Sequence, residues 1–350
     1  MNQGAWNPPG SPEPKGDACA LFLWNRMQAI IYYSEDDSPC LIYLDENKTP
    51  QWQFIDIRAR PKSILPGRML ELLQQYSPRV YFHEDELYLP SSLSFAFEHM
   101  QRELRDTDKG RFYCLTTKRP FVIRLFQRWL SGDLSTAVVY AFFVEKSGRD
   151  TDLTYFFFYP YDQGLMDTDN HVSDWEHVTI RLRWNKKDGD WVDPTPVMVA
   201  GSAHNGTNYV SWADVEKTDG TRPVIYAACG THDNYFTNGP HRHHWAVPDF
   251  CGNKKVWDTW KQTVKGYHWD PTNPDLAFGI AYKGTALVDG DTWPVWMSTK
   301  YEDPGSGDPA RPEAGPIYRW GNAPSPADFI GDGITGPIDK DEVWQPWAFG

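Results

Sequence analysis

A chain of 350 residues with 40% hydrophobic residues is globular and long enough for one large β-rich domain or two ordinary ones. Its net charge of −13 argues against nucleic acid and against anionic membrane surfaces, which attract basic stripes, and is compatible with cation binding. No apolar run approaches the roughly 18 residues that mark a transmembrane helix.

Residues 1–18, rich in Pro, Gly and Lys, are expected to form a loose tail. The opening residues carry neither a basic n-region nor an apolar h-region, so the expectation is no secretory leader and a cytoplasmic location. The five cysteines, Cys19, Cys40, Cys114, Cys229 and Cys251, are far apart and form no CxxC pair. That argues against a thiolate zinc site and for free thiols in a reducing compartment.

Residues 19–60 read as a β-rich segment with strands at Ala20–Trp24, Ala29–Tyr33, Leu41–Leu44 and Trp52–Arg58. They form either a small subdomain or additions to a main sheet. Pro61–Pro66 is a junction, and residues 61–350 are expected to make one β-sandwich domain. Apolar spacing predicts a helix at 67–76, stopped by Ser77-Pro78. Val80–Phe82 is a short strand that runs into the polar knot His83-Glu84-Asp85-Glu86, read as either a second ligand set or an acidic turn. Residues 93–105 and 120–130 are predicted to be helical.

From about residue 135 the pattern is β. Ala137–Val144 and Leu153–Tyr161 are almost continuously apolar, as strands covered on both faces are. Val178–Trp184 alternates, so one face is buried and the other wet. Pro196–Ala203, Tyr209–Trp212 and Pro223–Cys229 continue the series, and the last seventy or so residues read as long loops. The fold class is therefore mainly β, an antiparallel sandwich with peripheral helices. With 17 Trp, 18 Tyr and 18 Phe, aromatic side chains fill the core and are available to line a pocket for an apolar or carbohydrate ligand.

The densest chemistry lies between Tyr161 and His177. Strand alternation puts Asp174, Glu176, Val178, Ile180 and Leu182 on one face, with the two carboxylates at the mouth of an apolar surface. Uncompensated desolvation there is expensive, and a divalent cation offsets it. Asp162 ends the preceding aromatic strand, and His171 lies three residues before Asp174. Such a mixed shell suits Mg²⁺ or Ca²⁺ first, with Mn²⁺ and Zn²⁺ also admitted. The competing reading is a solvated acidic loop of Asp162, Asp167 and Asp169. His177 falls on the opposite face from the acids and ranks below His171. His204 and His232 each sit where a strand enters a Gly-marked turn, which makes them the candidate acid–base residues. His241, His243 and His244 read equally well as a surface loop. There is no GxSxG elbow, phosphate loop or dinucleotide fingerprint.

The runs Leu72–Glu86 and Tyr88–Ser92, then Asn170–Leu182, Ala203–Gly206, Arg222–Tyr226 and Gly230–His232, resemble in order the signatures of the vacuolar protein sorting-associated protein 62 family. The resemblance covers about residues 67–260, and the family name records a sorting phenotype. More distantly, Tyr159–Asp162 followed by His171–Val178 is similar to the GHRHDWE core of the necrosis-inducing cytolysins. That core implies a β-sandwich with a divalent cation held by Asp162, His171, Asp174 and Glu176. Asn170, Val172 and Ser173 depart from the pattern, and a second imidazole is missing.

Three functions remain open from the sequence. One is a metal-dependent enzyme, of lyase, cyclase or hydrolase type, acting on a small apolar substrate in specialised metabolism. The second is a metal-dependent binding or membrane-acting module whose cation holds a lipid or sugar headgroup. The third is a trafficking protein with a structural cation.

Overall fold

The computed structural model describes residues 64–107, 110–118, 128–146, 149–164, 170–203, 206–242 and 248–270. It also describes 284–291, 294, 319–321, 334–337, 340–344, 349 and the strands between residues 20 and 54. The expected tail at 1–18 lies outside the described residues.

A seven-stranded sheet forms the centre. Val138–Glu145, Asp150–Asp162, His171–Lys187, Asp190–Ala203 and Gly206–Ser211 follow one another antiparallel. Thr263–Trp269 joins the other edge, parallel to Val138–Glu145, and pairs with Thr285–Ala286. As their unbroken apolar sequence requires, the middle strands are covered on both faces.

On the front face, Leu153, Tyr155, Phe157, Val178 and Ile180 pack against Val80, Phe82, Ile225 and Trp257 of a second sheet. That sheet consists of Lys217–Thr218, Arg222–Ala227, Arg79–Phe82 and Lys255–Asp258, with Asn234–Tyr235 attached. Helix Pro66–Gln75 closes this core with Met69, Leu72 and Leu73. On the rear face, Phe142, Phe156, Phe158 and Trp175 meet Met100, Leu115, Trp320 and Trp344. Met100 and Leu115 lie in the paired strands Met100–Thr107 and Gly110–Thr117 of a four-stranded sheet that Arg319–Trp320 and Ile334–Thr335 complete. Burying a side chain such as Phe158 completely stabilises the fold by about 1.5–3 kcal/mol. The result is a β-sandwich with a further small sheet on its back.

The strands Ala20–Trp24, Met27–Tyr33, Pro39–Leu44 and Pro50–Phe54 form a four-stranded antiparallel sheet of their own. Among the described residues none of these strands pairs with the central sheet.

The helix expected over 93–105 ends at Phe97, and Met100–Thr107 is a strand paired with Gly110–Thr117. Burial alternates there, Met100 and Arg102 inward and Gln101 and Glu103 outward. Cross-strand pairing has overridden the helix propensity of Gln, Arg, Glu and Leu. Most of the 120–130 helix lies outside the described residues, and Arg128–Ser131 is a single 3₁₀ turn. Cys114, Cys229 and Cys251 are free thiols, as expected. No helix among the described residues is long and apolar enough to cross a membrane.

Candidate metal centre

The site lies at one end of the sandwich because two parallel strands end together. Arg222–Ala227 runs parallel to Arg79–Phe82, with Ala227 opposite Phe82. The loops that follow, carrying Glu86 and His232, therefore leave the second sheet at the same edge. The central sheet faces them with the end of Asp150–Asp162 and the start of His171–Lys187.

In that antiparallel pair His171 stands opposite Asp162 and Asp174 opposite Tyr159. Simple alternation would send His171 and Asp162 to the rear face with Trp175. Instead Tyr161 and Val172 pack with the rear core. Asp162, His171 and Asp174 gather, one ligand atom from each lying within 4.8 Å of the others. Ser173, between them, has φ of +67°, in the left-handed region. It resets the alternation, so a residue three before Asp174 shares its side.

All three side chains are buried. His171 Nδ1 donates to the carbonyl oxygen of Ser173 at 2.8 Å, which puts the lone pair of the neutral ring on Nε2. Ligating histidines are commonly fixed this way. Glu176 lies on the Asp174 face, also buried. It accepts from the Ser202 hydroxyl and, at 3.3 Å, from Asn234 Nδ2.

His232 adjoins this group and is fully buried. Its Nδ1 lies 3.0 Å from Asp174 Oδ2, and its Nε2 lies 3.0 Å from the Tyr88 carbonyl and 3.8 Å from Glu86 Oε1. The ring stacks on Tyr159 with centroids 3.8 Å apart. A carbonyl and a carboxylate both accept, so both ring nitrogens donate and the ring is an imidazolium.

Gly230 makes this approach feasible. Its φ is +85°, and a Cβ there would sit 2.4 Å from the Gln163 carbonyl oxygen. Gln163 N–H donates to the Gly230 carbonyl at 2.9 Å, and Gly230 N–H donates to Glu86 Oε2 at 2.7 Å. The His232 turn is thus sewn to the chain just after Asp162.

The electrostatics are those of carboxylates short of cations. Burial, and then the Asp174 charge, push the Asp162 carboxyl well above the usual range. Burial, and then Asp174 and Asp233, do the same to Glu176. Burial alone would raise Asp174, but the hydrogen bond and charge of His232 hold it below its ordinary value. Burial likewise opposes the charge on His232, yet Asp174 and Glu86 raise its pKa well above that of a free imidazole. Glu86 is held low by His232 and by the Gly230 and Tyr88 N–H groups, which outweigh its burial.

A divalent cation fits this donor set. Ligands on one cation are separated by at most twice the metal–oxygen distance, about 5.2 Å for Ca²⁺ and about 4.2 Å for Mg²⁺. Asp162, His171 and Asp174 would hold it, with Glu176 beside them, and it would supply the positive charge that the clustered carboxylates need.

Of the other candidates, His204, His243, His244, Asp167 and Asp169 lie outside the described residues. His177 is buried against Phe156, on the face opposite Glu176. His241 stacks on Tyr235 at 4.0 Å. The His83–Glu86 knot divides: Glu84 and Asp85 are exposed, and Glu86 turns inward. Sequence reasoning missed Tyr159, Ser202 and Asn234, and it missed the pairing of Glu86 with His232.

The class of protein is a β-sandwich, with buried carboxylates and imidazoles gathered at its rim. Residues 61–109 and 126–242 match the family described as Vacuolar protein sorting-associated protein 62, and in this region the chain is similar to that family. It is 28% identical over 151 residues to Vacuolar protein sorting-associated protein 62 of Saccharomyces cerevisiae, covering 37% of this chain and 30% of that one. It is 27% identical over 220 residues to the putative vacuolar protein sorting-associated protein TDA6 of the same organism, covering 54% of this chain and 41% of the relative. The chain thus spans less than half the length of these curated relatives. Among solved structures it is similar to the non-toxic HaNLP3 protein, with 15% identity, a TM-score of 0.33, and coverage of 59% of this chain and 78% of that one. It is also similar to NLPPya in complex with mannosamine, with 17% identity, a TM-score of 0.32, and coverage of 61% and 81%.

Proposed function

We propose that this domain is a divalent-cation-dependent binding module, in which Asp162, His171 and Asp174, with Glu176 beside them, hold a cation that receives the oxygen-rich headgroup of a lipid or glycan. The observation that carries this reading is the state of His232. An acid–base residue must pass a proton to a substrate, whereas His232 is fully buried and both its nitrogens point at acceptors of the protein. It is better suited to fixing Asp174 and balancing charge than to catalysis, which ranks a binding role above a hydrolase or lyase. The vacuolar sorting named for the yeast relatives agrees with a role at membranes.

The test is titration with Ca²⁺ and Mg²⁺ by calorimetry, followed by co-sedimentation with phosphatidylcholine vesicles with and without added glycolipid. Vesicle binding that needs the cation and is lost in Asp174→Asn supports the proposal. Binding unchanged by EDTA overturns it.

A further inference from the structure

At the opposite end of the second sheet, three cations surround one indole. Arg222 lies over the Trp260 ring with its guanidinium carbon 4.1 Å from the centroid. Arg79 is at 5.4 Å and the Lys261 ammonium at 5.9 Å. Strand order explains the convergence, because Arg222–Ala227, Arg79–Phe82 and Lys255–Asp258 are neighbours in the sheet. Arg79 and Arg222 begin the two parallel strands whose far ends lead to Glu86 and His232. Four residues of strand, about 13 Å, separate the two ends.

Charge in the cluster is not balanced. Asp258 serves two of the cations, Arg79 at 2.7 Å and Lys261 at 2.6 Å. Arg222 has no carboxylate within ion-pair distance among the described residues. It donates from Nη1 to the Gln74 carbonyl at 2.6 Å, capping the end of helix Pro66–Gln75. Its remaining N–H groups are not accounted for by that bond. Partial burial holds its pKa below the usual arginine value, with Asp219, Asp258 and Tyr155 acting against that shift. Three cations share one paired carboxylate, Asp258, with Asp219 acting on Arg222 from beyond ion-pair distance, so the cluster keeps a net positive charge on a chain whose net charge is −13.

We infer that Arg222, Arg79, Lys261 and Trp260 form an oxyanion site that takes a phosphate group. A phosphate monoester carries about −1.5 to −2 at neutral pH, opposite in sign to the cluster. A guanidinium held over an indole face still presents N–H groups at its own edge, and these can meet phosphate oxygens in pairs. The phosphate can belong to a soluble molecule or to a lipid headgroup.

The experiment is titration of inorganic phosphate into the chain in EDTA, so that no cation at the rim takes part, followed by the indole N–H resonance of Trp260. Saturable binding that falls about tenfold or more in Arg222→Ala is the expected result. Because Arg222 also caps a helix, Lys261→Ala is the second variant, and it should weaken binding with only a small change in melting temperature, since the pair it breaks with Asp258 is an exposed one. Asp174→Asn should leave phosphate affinity unchanged. Co-sedimentation with phosphatidylcholine vesicles containing phosphatidic acid then separates the sources. Capture by these vesicles but not by plain phosphatidylcholine assigns a lipid headgroup, and phosphate binding without capture assigns a soluble ligand. No binding of either probe, or binding indifferent to both variants, overturns the inference.

Discussion

His232 Nδ1 stands 3.0 Å from Asp174 Oδ2, while Nε2 of the same ring faces the Tyr88 carbonyl at 3.0 Å. A fully buried imidazolium is thereby locked between the two sheets. Replacing it by alanine leaves Asp174 and Glu86 as buried charges without their partner. Breaking a buried pair in this way costs about 3–5 kcal/mol. Urea denaturation of His232→Ala in EDTA should show a loss of that size. A change within about 1 kcal/mol would mean that the ring carries no charge.

The cation ligands should be separable from this support. Asp174→Ala and Glu176→Ala are expected to strip bound divalent metal, measured by elemental analysis after dialysis. Asp162→Asn and His171→Ala should each weaken Ca²⁺ or Mg²⁺ binding by more than the roughly 10–100-fold that outer partners contribute. Unchanged stoichiometry in all four would disprove the ligand set.

The pH dependence of stability should differ with and without metal. Asp162, Glu176 and His232 have folded pKa values above their unfolded ones. The stability they confer is complete below the unfolded values, about 4 for the carboxyls and about 6.5 for imidazole, and is lost as pH rises through the folded values. Asp174 and Glu86 are depressed, so their contribution is present above about pH 4 and lost as pH falls. Between about pH 6.5 and 9 only the raised groups remain to titrate, and the metal-free chain should melt lower as pH rises. A bound cation stabilises the ionised carboxylates, so its effect on melting temperature should grow over the same range. Scanning calorimetry with EDTA and with saturating Ca²⁺ would reveal parallel curves if the carboxylates do not hold the metal.

Gly230→Ala tests whether the loop junction sets the site. The added Cβ would meet the Gln163 carbonyl at 2.4 Å, in a backbone already at φ +85°. A cost of about 1–3 kcal/mol is expected, together with weaker cation binding, since Gln163 follows Asp162 directly. Calorimetric affinity equal to that of the parent chain would show that the His232 turn and the ligands are independent.

Ser173 offers the complementary case. Glycine adopts its left-handed conformation freely, so Ser173→Gly should keep the metal. Ser173→Val is β-branched and should either destabilise the strand or restore simple alternation, turning His171 away from Asp174. Loss of metal in the valine variant alone, read by elemental analysis, is the expected outcome.

Local patterns carried much of this protein in its sequence. Continuous aromatic runs marked the doubly covered strands, and a two-residue period put Asp174 and Glu176 on the face of Val178 and Ile180. Both are properties of neighbouring residues, readable because side-chain direction in a strand repeats every two positions. The same local reasoning made 93–105 a helix, since nothing nearby reveals that Met100–Thr107 pairs with Gly110–Thr117. Only the tertiary structure could bring Glu86 and His232 together, because their meeting depends on a parallel pairing between strands far apart in the chain. Ser173's reversed backbone is likewise held by packing, with Tyr161 and Val172 drawn into the rear core. A resemblance to a known motif named Asp162 and His171, but it is this reversal that brings His171 to the side of Asp174.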